Sequence, residues 1–230
     1  MRHSLVLLKG TSGHQVYGFG LGKRGQLGVS KDKIRSLNLP QLWCGFEGME
    51  LVNIIANGDH SAVLSADGQL FVWGRGFSSS SDVSVPQALP SSLRFKQAFV
   101  GWNHALVLTG EGEVFMLGGS HHGVLSEPQT ATLVCDPSAQ RCLSKVVCPE
   151  GMKIMQVAAG AEHSAMVTDD GHIYTWGWGE HGQLGLGDTS DQTLPQLVDL
   201  GHKTGSNLLT TRVYCGSGFT IAVKTSARSN

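Results

Sequence analysis

The sequence predicts an all-β fold: a partial β-propeller of about four blades, each a four-stranded antiparallel sheet. Three observations carry that expectation. First, one segment recurs: ANGDHSAVLSADGQLFVWGRG at 56–76, FVGWNHALVLTGEGEVFMLGGS at 99–120 and AAGAEHSAMVTDDGHIYTWGWG at 158–179. MRHSLVLLKGTSGHQVYGFG at 1–20 is a fourth copy, and YCGSGFTIAVKT at 214–225 begins a fifth. Second, there are 31 glycines among 230 residues, nearly twice the usual share of about 7%. Third, the apolar runs are short and punctuated by turn residues, and none holds a helical period.

The anchors His3, His60, His104, His163 and Phe219 are spaced by 57, 44, 59 and 56 residues. From each of the middle three to the residue before the next glycine (Trp73, Leu117, Trp176) the interval is 13. A constant interval inside variable ones marks a rigid hairpin joined by tolerant loops. Within the second copy, 52–56 is a short apolar strand that a glycine ends, and 61–65 is the next. Asp67-Gly68 then reads as a tight turn of the Asp-Gly hairpin type, because glycine enters positive φ cheaply. The strand at 70–73 returns and stops at Gly74. Glu111-Gly112 and Asp170-Gly171 hold the same turn in their copies.

The repeated structural residues are therefore Gly58, His60, Gly68, Trp73 and Gly74, then Gly101, His104 and Gly112, then Gly160, His163, Gly171, Trp176 and Gly177. Repeat limits fall near 1–51, 52–95, 96–153 and 154–210, with a further blade starting at 211–225. The stretch RGFSSSSDVSV after Gly74 and the segment 119–150 read as loops.

GLGKRGQLG at 20–28 has the glycine spacing of a dinucleotide-binding turn, and GWGEHGQLG at 177–185 repeats it. A phosphate cradle must open a helix inside a βαβ unit. Here turn-forming residues follow instead, so Gly182, Leu184 and Gly185 join the structural set. His60, His104 and His163 sit on separate blades. A shared metal would need them to converge, so the reading taken is a hydrogen-bonded scaffold residue in each. Cys135, Cys142 and Cys148, with His121 and His122 upstream, lack the close pairs of a zinc site. No cofactor and no metal are expected.

Charged residues make up 15% of the chain and the formal net charge is −1. Nucleic acid is therefore not an expected partner. No apolar run approaches the roughly 18 residues needed to cross a bilayer, so no membrane association is expected. Five scattered cysteines suit a reducing compartment, cytoplasm or nucleus. Lys23, Arg24, Lys31, Lys33 and Arg35 form a basic loop that could meet an acidic partner surface.

The ordered elements GDHSAVLSADGQLFVWG at 58–74 and GEHGQLGLGDTSDQTLPQLV at 179–198 resemble the regulator of chromosome condensation repeat family. The resemblance covers nearly the whole chain and is nearest the plant ultraviolet-B-receptor-like and secretion-regulating exchange-factor-like members. It implies a seven-bladed propeller. At a mean repeat of 54 residues, seven blades need about 378, so about three are expected to be missing and the chain to be truncated. Open blade edges are then expected to drive self-association.

The function implied is a non-enzymatic scaffold that binds a protein partner. The alternative is a guanine-nucleotide exchange factor for a small GTPase, which displaces nucleotide by insertion and needs no catalytic acid or base. The third reading is an ultraviolet-B sensor. Trp102 in GWNHA matches a GWRHT element of that receptor type, but Asn103 and Ala105 replace its Arg and Thr.

Overall fold

The structure, a computed structural model, describes residues 3–10, 13–29, 35–43, 46–76, 81–119, 133–135, 142–201 and 209–226. Its regular elements are all strands, in five antiparallel sheets. The first sheet holds β1 (His3–Gly10), β2 (Gly13–Leu21) and β3 (Ser36–Leu42). The second holds β4 (Leu51–Asn57), β5 (His60–Ser65), β6 (Leu70–Gly74) and β7 (Val83–Ala88). The third holds β8 (Phe95–Val100), β9 (His104–Thr109), β10 (Val114–Gly118), β11 (Leu133–Cys135) and β12 (Cys142–Lys145), in the order β11-β12-β10-β9-β8. The fourth holds β13 (Ile154–Ala159), β14 (His163–Thr168), β15 (Ile173–Gly177) and β16 (Gln192–Leu197). The fifth is the hairpin β17 (Leu209–Cys215) and β18 (Thr220–Ser226). The matching histidines His3 and His60 show that β1 to β3 hold the places of β5 to β7, and Phe219, in the place of His163, shows that β17 and β18 hold those of β13 and β14.

The core lies between successive sheets. Period-two alternation shares each second strand between two interfaces. In β9, Ala105 and Val107 join Ala62, Leu64, Leu70 and Val72 of the second sheet. Leu106 and Leu108 turn the other way, toward Val157, Met166 and Trp176 of the fourth. Sandwiched strands must be apolar on both faces, and every residue of β5, β9 and β14 is buried. Val16 and Trp43 meet Val63 and Trp73 across the first interface, where the two indoles make an edge contact at 4.6 Å. Val213 closes the last one against Ala165 and Val167.

Three local expectations are corrected. The stretch after Gly74 is not all loop, since Val83–Ala88 forms the outer strand β7. The segment 119–150 contains β11 and β12, which give the third sheet five strands. The Asp-Gly turn is a three-residue loop: Leu64 pairs with Leu70, the Ser65 N–H reaches the Gln69 carbonyl, and the Gly68 N–H returns to the Ser65 carbonyl at 3.0 Å. Asp67 is thus not the first of two left-handed residues. Only Gly68, at φ +82°, needs that region, as in a type I turn closed by a glycine bulge. Gly112 and Gly171 repeat the closure onto Thr109 and Thr168.

Candidate interaction face

In antiparallel sheets the first and third turns share one end. The first turns are 58–59, 102–103, 161–162 and 217–218. The third are the loops after Leu21, Gly74, Gly118 and Gly177. Backbone bonds tie them within three sheets: the N–H groups of Arg75, Gly119 and Trp178 reach the carbonyls of Asp59, Asn103 and Glu162 at 2.8–2.9 Å. These turns form the candidate face.

A histidine joins each sheet to the next. His3 Nε2 meets Ser61 Oγ at 2.8 Å, and His104 Nε2 meets Ser164 Oγ at 3.1 Å. His163 Nε2 meets Thr220 Oγ1 at 3.0 Å. Where Ala105 replaces the serine, His60 Nε2 donates to the Trp102 carbonyl instead, at 2.7 Å. Ser61 and Thr220 donate onward to the carbonyls of Gln26 and Gln183, so they accept from the imidazoles. Burial drives the histidine pKa values down, to about 4 for His3 and His163 and about 3 for His104, and lowers that of His60. These rings are neutral, and those of His3, His60 and His163 donate between blades.

The glycine three residues before each ring has a steric reason. A β-carbon on Gly101 would stand 2.5 Å from His104 Nδ1 and 2.6 Å from the Gly160 carbonyl oxygen. One on Gly160 would overlap the His163 ring and lie 2.6 Å from the Gly216 oxygen. Gly58 differs from these two. Asn57 occupies their place, and Gly58 sits inside the turn at φ +55°, beneath the Trp102 ring. The Trp-Gly glycines need both conformation and space: Gly177, at φ +101°, would place a β-carbon 2.7 Å from the Glu162 oxygen, and Gly74 meets Asp59 likewise. Trp73 and Trp176 are buried in the core.

The two Gly-Gln-Leu-Gly loops are paired β-turns. The N–H groups of Gly25 and Gly28 return to Gly22 and Gly25, and those of Gly182 and Gly185 to Gly179 and Gly182. Leu27 and Leu184 plug the core, and Gln26 and Gln183 are buried with them. Bends and then β16 follow the second loop, so it does not present the row of helix N–H groups a diphosphate needs.

On the surface of this face lie Trp102, 49% exposed, and Lys23, Arg24 and Arg35, all exposed. Lys31 and Lys33 lie outside the described residues. Arg24 reaches Asp82 of the second sheet at 3.4 Å, and Asn103 donates to Glu162 at 3.0 Å. Burial raises the pKa of the Cys148 thiol and pushes that of Cys215 up to about 12, so neither of these two is a ready nucleophile. At the opposite end a cleft of about 380 Å³ lies between Glu111, Glu113, Lys145, Cys148 and Met152. Glu113 is closed there on Lys145 at 2.6 Å.

Two residues that sequence reading missed also join blades. Gln97 Nε2 donates to the Met155 carbonyl, and Gln156 clamps Val213 through both N–H and C=O at 2.8–3.0 Å. Both lie at a bulge in the first strand of a sheet. Their signal was a lone glutamine in an apolar strand, repeated 59 residues on.

Models of the Regulator of chromosome condensation (RCC1) repeat match residues 14–64, 170–223 and 154–183. The Ultraviolet-B receptor UVR8 of Arabidopsis thaliana is 35% identical over 96% of the chain. The chain belongs to the RCC1 repeat family. It spans 49% of UVR8. The human Probable E3 ubiquitin-protein ligase HERC4 is 35% identical over 85% of the chain, which spans 18% of that protein. The mouse RCC1-like G exchanging factor-like protein is 32% identical over 86% of it, with 44% of that protein spanned. Among solved structures, human WBSCR16 superposes with TM-score 0.78 at 26% identity, covering 98% of this chain and 56% of that one. Prp20p from Saccharomyces cerevisiae, a protein with binding properties to Gsp1p and histones, superposes at 0.70 and 22% identity, over 99% and 57%. These RCC1-repeat relatives differ in activity while sharing the blade.

Proposed function

We propose that this RCC1-repeat chain is a non-catalytic scaffold that binds a protein partner through the face of first and third turns. One observation carries the reading. The residues with chemical potential, His3, His60, His104 and His163, are buried and spent on blade-to-blade bonds, while the same face exposes Trp102, Lys23, Arg24 and Arg35. Aromatic and arginine side chains at the centre of a polar rim suit protein recognition. The partner is bound in the cytoplasm or nucleus, where a fluorescent fusion of the chain would be found.

A second reading, exchange on a small GTPase, draws on the likeness to the RCC1-like G exchanging factor-like protein and on Gsp1p binding by Prp20p. Release of labelled GDP from a panel of small GTPases separates the two. The scaffold reading expects no acceleration by the chain. It also expects Trp102→Ala with Arg24→Glu to abolish partner capture, while Lys153→Glu at the opposite end leaves it intact. Equal loss from both ends would sink the assignment of the face. The light-sensing reading rests on Trp102 and the likeness to UVR8, and unchanged size-exclusion elution after ultraviolet-B exposure removes it.

A further inference from the structure

We propose that the loop 179–183 and the turn 216–219 form a notch for a carboxylate, and that its occupant is an aspartate or glutamate side chain of a protein partner. The chain contains its own template for this contact. In the first Gly-Gln-Leu-Gly loop, Gln26 Oε1 accepts the Arg24 N–H at 2.9 Å, its carbonyl accepts Ser61 Oγ at 2.7 Å, and its Nε2 donates to Asp59 Oδ1 at 3.0 Å. In the fourth sheet Gln183 repeats the first two bonds, with the His181 N–H and Thr220 Oγ1, both at 2.8 Å. The third is missing: Gln183 Nε2 is buried, its residue is 5% exposed, and it has no acceptor among the described residues.

One residue makes the difference. The place of Asp59 in the next turn is taken by Gly218. A β-carbon there would find nothing nearer than His181 Cδ2, at 4.0 Å. A carboxylate that the first loop obtains from its neighbouring blade is thus absent beside an amide still set to bind it. An unmet buried donor carries its full desolvation cost, so an incoming acceptor is favoured. The surroundings suit a peptide-borne group. Phe219 is 56% exposed beside Gly218, and Trp178 stacks edge-on against His181 at 4.7 Å. The loop's own carboxylates are engaged: Glu180 with Trp178 Nε1 and Asp191 with the Gly179 N–H.

This inference rests on the scaffold reading only in drawing the carboxylate from a protein. The notch can be measured without any partner. The 230-residue chain, labelled with nitrogen-15, would be titrated with N-acetyl-aspartate methylamide, sodium acetate and sodium chloride. The side-chain amide peaks of Gln183 report. Expected are a saturable shift with the aspartyl probe, roughly threefold weaker binding of acetate, and no response to chloride. Gly218→Asp should shift those peaks before any probe is added, abolish the response and raise Tm. Gly218→Ala should keep the response, which also covers the case that the aspartate variant fails to fold. No shift up to roughly 0.1 M aspartyl probe, or an equal response in Gly218→Asp, overturns the notch. Equal binding of acetate and the aspartyl probe overturns the protein origin of the carboxylate.

Discussion

At the scale of single residues, this chain uses glycine in two separable ways. Gly160 has no left-handed backbone, and its lack of a side chain admits the His163 ring and the Gly216 carbonyl of the next sheet. Gly182 has φ +72° with nothing within 4 Å of a built β-carbon, so conformation alone demands it. The costs should differ accordingly. Gly160→Ala is expected to lose about 3 kcal/mol, the upper range for overpacking, because both neighbours are rigid. Gly182→Ala should lose about 1 kcal/mol, the strain of one left-handed residue. Urea titration of the two variants reads the difference, and equal losses would mean that the Gly160 surroundings can relax. Both glycines were visible in the sequence as repeated positions. Which role each plays was not, since spacing reveals recurrence but neither φ nor the distance to a ring. Gly58 shows the limit. It reads like Gly101 and Gly160, yet Asn57 takes their place beside the histidine.

At the scale of elements, the inner strands were legible and the outer ones were not. β5, β9 and β14 are buried throughout, with apolar residues at their centres, because a sheet lies on either side. The outer strands β3, β7 and β16 read SLNLPQL, VSVPQA and QTLPQL. Each contains a proline, which normally argues against a strand, but an edge position with a break in register tolerates the missing donor. The breaks are present in all three pairings. A repeated Pro-Gln was the available signal. Attachment of the last hairpin was not legible either, because it depends on a side-chain clamp. Gln156 satisfies both backbone groups of Val213. Gln156→Leu should strand that N–H and C=O and destabilise the β17–β18 hairpin by about 2–3 kcal/mol. Hydrogen exchange at Val213 should then accelerate while Ala105 in the third sheet stays protected. Uniform acceleration would mean that the hairpin unfolds only with the rest.

At the scale of the molecule, two properties follow from five sheets that do not close on one another. β18 occupies the place of β5, β9 and β14, which are wholly buried, yet its Ile221 and Val223 and the preceding Phe219 are 50%, 39% and 56% exposed. An unpaired apolar edge recruits other strands, so the chain alone should show a sedimentation coefficient that rises with concentration. Ile221→Lys with Val223→Lys should suppress the rise. The second property is acid sensitivity, because every interface between sheets carries a buried neutral imidazole. In the unfolded chain a histidine takes up its proton near pH 6.5, whereas His104 resists to about 3 and His3 and His163 to about 4. Between those limits the unfolded state binds more protons, so stability falls as pH is lowered through that window. From pH 7 to pH 5 each such ring should cost about 2 kcal/mol. The variant His104→Phe with Ser164→Ala isolates one ring. It copies substitutions this chain already contains, Phe219 over Gly216 and Ala105 in the serine place, so the blade geometry should hold. Its stability at pH 7 should be slightly lower and its decline to pH 5 shallower by about 2 kcal/mol. Guanidinium titrations at both pH values measure this, and an undiminished slope would place the acid sensitivity in groups other than the interface histidines.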